Sequence, residues 1–159
     1  AVIGGGDSAL EEAIFLTRFS DSVTIVHRRN ELRAGSLLQK RAKENPKISF
    51  IFESIPLEIL GDEKITGLVL KNVKTQATCK VEVDGVFIFI GHTPNSSLVE
   101  GQINLDEKGY VIIDQQMRTN IPGVFAAGEV ADPNYRQVIT SAGMGAAAAI
   151  QAGKFLAEG

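Results

Sequence analysis

The sequence predicts an α/β fold, and three observations point to this class. An apolar start, residues 1–3, runs into a glycine turn that is followed at once by a helical pattern. The β-branched run 23–26 comes soon after that pattern and completes a strand–helix–strand unit. Strand-like segments with few helix signals then fill residues 56–83, which is typical of a β-meander. We therefore expect a Rossmann-like βαβ unit with a meander laid on it.

The turn after the first strand carries a dinucleotide-binding fingerprint. Gly4, Gly6 and Ala9 match the pattern G-x-G-x-x-G/A. The first glycine allows the tight turn, the second lets backbone approach a pyrophosphate, and the alanine lets the helix pack close to the sheet. Ser8 and Glu11 have capping-box spacing, which marks the helix start. In this context the turn predicts a dinucleotide site, and a purely structural turn is the alternative.

Basic residues follow the second strand, where NAD-binding units usually place an acidic residue about 20 positions past the glycines. This position carries residues 27–29, His-Arg-Arg, and Arg33 comes one turn later. Guanidinium groups grip a ribose 2′-phosphate, whereas a carboxylate would repel it. The segment therefore favours NADPH over NADH. A solvated basic surface, helped by Glu31, is the alternative.

The remaining elements of the first half follow in order. We expect a surface helix over 36–44, strands over 48–52, 56–60, 65–72 and 78–83, and a strong apolar strand over 85–91. The last of these has the most buried-looking pattern in the chain. It ends in the loop 91–95, at the edge of a parallel sheet where ligands bind. We expect His92 in this loop to lie near a cofactor rather than to act as a catalytic group.

The last third of the chain has a different pattern, with turns and short predicted strands ahead of a long predicted helix. A tight turn at 106–109 precedes a predicted strand over 110–113, and a second apolar strand over 124–128 ends in a glycine and a carboxylate. A long helix is then predicted to open at 135–138. Its small residues allow close backbone packing or close approach of a ligand, and a tightly packed helix without a ligand is the alternative.

Composition limits the classes of function. The net charge of −3 does not favour nucleic acid or an anionic membrane as a partner. No apolar run approaches the roughly 20 residues that span a bilayer. The single cysteine, Cys79, fits a reducing compartment and a structural thiol. Because only three residues precede Gly4 and no methionine opens the chain, we expect a fragment of a longer protein.

Four motifs in this order resemble the bacterial-type, low-molecular-weight thioredoxin reductase family. They are residues 4–12, residues 27–29 with 33–34, residues 91–95, and residues 126–129 with 135–143. The resemblance implies a flavoprotein that passes electrons from NADPH through FAD to a redox disulfide and then to thioredoxin. It also implies a cytoplasmic homodimer, with an NADPH-binding domain over 1–89 and the C-terminal part of a second Rossmann-like, FAD-binding domain over 90–159.

The resemblance also implies the cofactor contacts, and it assigns no catalytic side chain and no metal site to this chain. The pyrophosphate of NADPH would be held by Gly4, Gly5, Gly6, Asp7, Ser8 and Ala9. Its 2′-phosphate would be held by His27, Arg28, Arg29 and Arg33. Its nicotinamide nucleotide would lie beside Ile90, Gly91 and His92. FAD would be held along its ribityl or phosphate region by Gly128 and Glu129, and at its isoalloxazine ring by Arg136, Gln137 and Val138.

Three departures from the family pattern accompany the resemblance. The Cys-x-x-Cys motif and the first FAD-binding half are absent from the 159 residues, and Glu129 stands where the family usually has aspartate. We therefore expect the polypeptide by itself not to reduce thioredoxin. The alternatives are an alkyl hydroperoxide reductase flavoprotein, a ferredoxin–NADP reductase of the same type, or a non-catalytic NADPH-sensing module.

Overall fold

The computed structural model describes residues 1–158 and contains two compact units that divide after Gly91. The helices and strands of the first unit are β1 (Val2–Gly4), α1 (Asp7–Leu16), β2 (Val23–Val26), α2 (Ser36–Glu44), β3 (Ile48–Ile51), β4 (Ser54–Gly61), β5 (Ile65–Asn72), β6 (Thr78–Val81) and β7 (Phe87–Phe89). They form a parallel sheet in the order β3-β2-β1-β7 and an antiparallel sheet in the order β4-β5-β6. The α/β class and the meander are thus confirmed.

Alternation along the central strands builds a core on both faces of the parallel sheet. Val2 and Ile25 pack with Leu10 of α1 on one face, in a cluster that also includes Ala42 of α2. Successive residues of a strand point to opposite faces. Ile3 and Val26 therefore lie on the other face, and they pack against two fully buried leucines of β5, Leu68 and Leu70. The meander thus covers the face opposite the helices.

Two sequence expectations for the first unit are wrong in detail. The helix start is not set by Ser8 and Glu11, because Gly6 is the N-cap residue and no side chain caps α1. The glycine turn already holds extended backbone at Gly6, so the helix begins one residue before Ser8. The run 85–91 forms only the three-residue strand β7, with Ile88 59% exposed. This strand pairs with β1 alone among the described strands, so it lies at the sheet edge.

The second unit begins at His92, and its described part, residues 92–158, contains one long helix, α3 (Val138–Glu158), and a single 3-10 turn at Ser97–Val99. The strands expected over 110–113 and 124–128 are reduced to isolated bridges, Leu105 with Val111 and Arg118 with Phe125. A continuous β-ladder forms only where two strands run side by side along their length. Among the described residues, each of these segments pairs at one position only. Among the described residues, no helix combines the length and apolar character that crossing a membrane requires.

Helix α3 is apolar but contains no buried residue. Val138 is 90% exposed and Ile139 is 80% exposed. The helix also begins later than the sequence suggests, at Val138 rather than Tyr135. The reason is a carboxylate that holds the preceding backbone in a non-helical turn, as described below.

Candidate functional site

The glycine turn after β1 leaves no room for a side chain at Gly4. Gly4 has φ +155°, and a Cβ there would lie 2.5 Å from the carbonyl oxygen of Phe89 and 2.8 Å from Cβ of Ala9. The turn is therefore in close contact with both β7 and the start of α1. This is the close helix–sheet approach that the spacing of Gly4 and Ala9 predicts.

Gly5 ties the turn to the segment that carries the arginines. A Cβ on Gly5 would lie 2.5 Å from Nδ1 of His27, so the imidazole ring lies directly against the glycine. On its other side, the Gly5 carbonyl oxygen accepts hydrogen bonds from the backbone N–H of Arg33 (2.6 Å) and of Ala34 (3.1 Å). The loop after β2 is thus fastened to the glycine turn at two points, and the two segments form adjoining walls.

A cleft of ≈ 380 Å³ lies between these walls, which is within the usual size range of small-molecule sites. It is lined by Ile3, Gly4, Gly5, Val26, His27, Arg28, Arg33, Ser54, Ile55, Pro56, Ile88 and Ile90. Six residues that the sequence singled out meet here, whereas Arg29 does not line the cleft. None of the described lining residues carries a carboxylate, so the two guanidinium groups leave the cleft positively charged.

His27 differs from its arginine neighbours because it is buried, with only 5% of its surface exposed. Its Nε2 has no hydrogen-bond partner among the described residues. Burial lowers the pKa of His27, and the positive charges of Arg33, Arg29 and Arg28 lower it further. Near neutral pH the ring is therefore an uncharged hydrogen-bonding group. It does not add a third positive charge to the cleft.

The other predicted residues of the glycine turn have different surroundings. The guanidinium Nη2 of Arg33 lies 3.9 Å from where a Cβ on Gly6 would be, so this arginine reaches over the turn. The carboxylate of Asp7 accepts a hydrogen bond of 2.8 Å from the backbone N–H of Gly35. Asp7 is thus engaged in holding the loop before α2. Ser8 is exposed and Ala9 is buried.

The residues at the division of the two units are exposed. Gly91 has φ +99°, and a Cβ placed on it would have no atom of the described residues within 4 Å. His92 is exposed and belongs to the second unit. The structure therefore gives neither residue a defined contact around which a site could be built.

In the second unit, the predicted flavin contacts fall on the segment that leads into α3. Gly128 has φ +80°, a conformation that favours glycine, and Glu129 beside it is exposed. Arg136 has φ +52°, which is unusual for a residue with a side chain. Gln137 immediately precedes the helix and Val138 is its first residue.

Sequence reasoning missed Asp132, which organises this segment. The residue is 6% exposed, and its carboxylate accepts hydrogen bonds from the backbone N–H of Asn134 (3.0 Å), Tyr135 (2.9 Å) and Arg136 (2.9 Å). The hydroxyl of Thr140 lies 3.2 Å from the same carboxylate. The Asp-Pro-Asn sequence was the available signal, because aspartate before a turn commonly accepts backbone N–H groups two and three residues on.

These hydrogen bonds also set the ionisation of Asp132. The N–H donors of Tyr135 and Arg136 lower its pKa, because they stabilise the charged form. The carboxylate is therefore ionised near neutral pH and acts as a permanent acceptor inside the turn.

A family model described as pyridine nucleotide-disulphide oxidoreductase matches residues 1–152. The chain therefore belongs to the pyridine nucleotide-disulphide oxidoreductase family.

Within this family, the chain is similar to several proteins named thioredoxin reductase. It is 54% identical to that of Streptomyces coelicolor, over 99% of this chain and 49% of the relative, and 51% identical to that of Mycolicibacterium smegmatis, over 99% and 51%. The crystal structure of thioredoxin reductase from Streptococcus pyogenes matches with a TM-score of 0.81 and 43% identity, over 99% of this chain and 52% of that one. The chain thus spans about half the length of the curated relatives it matches.

Proposed function

We propose that the chain is part of an NADPH-dependent flavoprotein disulfide reductase whose final acceptor is thioredoxin. The observation that carries this proposal is the cleft in which the glycine turn at Gly4 and Gly5 adjoins the guanidinium groups of Arg28 and Arg33. The names of the relatives support the electron acceptor, since proteins similar to this chain over nearly all of its length are called thioredoxin reductases.

The first unit fits NADPH on three counts. Gly4 and Gly5 present bare backbone, which suits a pyrophosphate that must approach closely. Arg28 and Arg33 supply two positive charges without an opposing carboxylate, which suits a 2′-phosphate. The buried Nε2 of His27 has no hydrogen-bond partner among residues 1–158, and a bound ligand would satisfy it.

The second unit fits part of a flavin site. The first backbone N–H groups of α3 have no partner within the helix, and they suit the electron-rich edge of an isoalloxazine ring. Val138 and Ile139 beside them are almost fully exposed, which leaves an apolar surface for the ring. Gly128 and Glu129 belong to the same segment and would hold the ribityl or phosphate region.

In this proposal, the cleft of the first unit would hold NADPH, a hydride donor, and the segment that leads into α3 would hold FAD, a two-electron carrier able to reduce a disulfide. The residues of this chain bind and orient the cofactors. The 2′-phosphate would be bound by Arg28, Arg33 and His27. Arg29 would contribute only its charge, from outside the cleft. By the family resemblance, Ile90, Gly91 and His92 would lie beside the nicotinamide nucleotide.

We infer the cellular setting from the same resemblance. A cytoplasmic homodimer is the expectation, and the single cysteine of the 159 residues is compatible with a reducing compartment. The named relatives give no support to a peroxide or ferredoxin reductase, or to a sensing module.

The decisive experiment uses the full-length protein that carries this sequence. We expect yellow protein whose flavin absorbance is bleached by NADPH, at concentrations at least about tenfold below those needed with NADH. We also expect reduction of a thioredoxin disulfide in the same preparation. A colourless protein, or one that prefers NADH, would refute the proposal.

A further inference from the structure

We propose that Asp132 is a positioning residue for the flavin site, because its carboxylate fixes the backbone of residues 134–136 ahead of α3. This inference rests on the proposed function, since it concerns the segment that would meet the isoalloxazine ring. It adds a residue to which neither the motifs nor the family resemblance gave a role.

The two carboxylate oxygens of Asp132 have separate partners. Oδ1 accepts from the N–H groups of Asn134 and Tyr135, at 3.0 and 2.9 Å. Oδ2 accepts from the N–H of Arg136 at 2.9 Å and lies 3.2 Å from the hydroxyl of Thr140. One buried side chain thus accepts hydrogen bonds from three consecutive backbone N–H groups and contacts Thr140 in the first turn of α3.

The bond to Arg136 has a particular role because this residue lies in the left-handed region, at φ +52°. Such a conformation is unfavourable for a residue with a side chain, and it persists only where the surroundings hold it. The Oδ2 acceptor of Asp132 is the hydrogen-bond partner that the structure gives to the Arg136 N–H. We infer that this bond maintains the turn at Arg136.

The same cluster sets where the helix begins. The Thr140 hydroxyl lies 2.9 Å from the carbonyl oxygen of Gln137 and 3.3 Å from its N–H, as well as close to Asp132. Residues 134–137 are therefore held out of the helix, and α3 starts at Val138. This arrangement leaves Tyr135 71% exposed and Val138 90% exposed, so both side chains are directed outward.

The lowered pKa of Asp132 agrees with this role, since the backbone N–H donors stabilise the ionised carboxylate. The structure also suggests a substitution that is selective. In Asp132→Asn, one oxygen can still accept from Asn134 and Tyr135, but an NH₂ group faces the Arg136 N–H and cannot accept from it.

Asp114→Asn is the matched control in the same unit. Asp114 also accepts two backbone N–H groups, from Gln116 (2.7 Å) and Arg118 (2.9 Å), but both bonds end on Oδ1. An asparagine can therefore retain both of them. The two variants make the same chemical change, and only one removes a required acceptor.

The test uses the full-length flavoprotein with each variant and has two readouts. Hydrogen exchange measures the backbone N–H groups of residues 134–137. Flavin absorbance and the flavin dissociation constant report on the flavin site. For Asp132→Asn we expect exchange at Arg136 to rise at least about tenfold, flavin affinity to fall about tenfold, and the flavin band shape to change. The melting temperature and far-UV circular dichroism of the two variants should remain comparable.

The outcomes separate the inference from the proposed function. Unchanged exchange at residues 134–136 overturns the inference, and so does faster exchange with wild-type flavin affinity and band shape. If the unsubstituted protein binds no flavin, the proposed function fails as well, while the exchange result still shows whether Asp132 holds the turn. If Asp132→Asn fails to fold, Thr140→Val is the substitute test, because it removes a hydroxyl that contacts the same carboxylate. It should change the flavin spectrum, by less than expected for Asp132→Asn, and an unchanged spectrum overturns the inference.

Discussion

At the scale of single residues, the two arginines that line the cleft should determine the choice between NADPH and NADH. Replacing Arg28 and Arg33 together by glutamine should weaken NADPH binding by about 2 kcal/mol, roughly 30-fold, because charge-assisted bonds to the 2′-phosphate are lost. NADH lacks that phosphate and should bind nearly as before. Fluorescence titration of both nucleotides measures the difference.

Arg29→Gln is the matched control for this pair, because the residue is adjacent in sequence but does not line the cleft. It should change NADPH affinity by less than about threefold, through long-range charge alone. Equal losses for NADPH and NADH in the double variant would contradict the assignment of the arginines to the 2′-phosphate.

The contact between Gly5 and His27 gives a second prediction at this scale. Gly5→Ala places a methyl group 2.5 Å from the imidazole, so it should lower the free energy of unfolding by about 1–3 kcal/mol. Adding His27→Ala should recover part of that loss, because the opposing ring is removed. Urea unfolding of the single and double variants measures this coupling.

Gly143→Ala provides the comparison for Gly5→Ala. Gly143 lies within α3, and nothing lies within 4 Å of a Cβ placed on it. Alanine there should leave the stability unchanged or raise it by up to about 1 kcal/mol, as in other helix interiors. If Gly5→Ala behaved like Gly143→Ala, the close packing of His27 against the turn would be wrong.

The lowered pKa of His27 predicts a pH dependence of stability. The unfolded chain takes up a proton near the ordinary value of 6.5, whereas the folded protein resists protonation to a lower pH. The stabilisation is therefore complete above about pH 6.5 and is lost as the pH falls below it. His27→Gln should reduce this loss, as measured by urea unfolding at several pH values between 7.5 and 5.

His92→Gln is the matched control, since it replaces the other histidine of the chain, which is exposed. It should leave the pH dependence of unfolding as in the unsubstituted protein. A decrease in the pH dependence for His92→Gln but not for His27→Gln would show that the buried ring is not the titrating group.

At the scale of elements, the meander should depend on β5 much more than on β4. Leu70 of β5 is fully buried against β1 and β2, so Leu70→Ala should cost about 2–5 kcal/mol of stability. Leu57 of β4 is 53% exposed, and Leu57→Ala should cost less than about 1 kcal/mol. Urea unfolding of both variants compares the same substitution at a buried and at an exposed position. Similar losses in the free energy of unfolding would contradict the packing of β5 on the parallel sheet.

Elements whose pattern and end point are both marked by neighbouring residues were predicted with the correct bounds. The helix over 36–44 was placed correctly because Leu38 and Ala42, four positions apart, lie among polar and charged residues, and the pattern ends at Asn45-Pro46. The strands over 110–113 and 124–128 were wrong because their local patterns do not show whether a neighbour is available along their length. The strand over 85–91 was shortened for a related reason, since its place at the sheet edge depends on the order of the other strands.

At the scale of the whole molecule, all residues lining the cleft belong to the first unit. A polypeptide of residues 1–91 should therefore bind NADPH within about threefold of the affinity of the 159-residue chain. Isothermal titration with both polypeptides measures this, after circular dichroism has shown that the shorter one is folded. A folded 1–91 polypeptide that does not bind NADPH would mean that the second unit contributes necessary contacts.

The sequence by itself determined the α/β class, the glycine turn, the basic segment after β2 and the resemblance to a reductase family. These features depend on short-range spacing, which a linear pattern records directly. Only the tertiary structure decided that Arg28 and Arg33, but not Arg29, line the cleft, that His27 is buried and uncharged, and that Asp132 holds the turn before α3. Whether a side chain is buried, charged or directed into a cleft depends on segments far away in the chain, such as the Gly5 carbonyl that fastens Arg33, and local periodicity carries no information about those contacts.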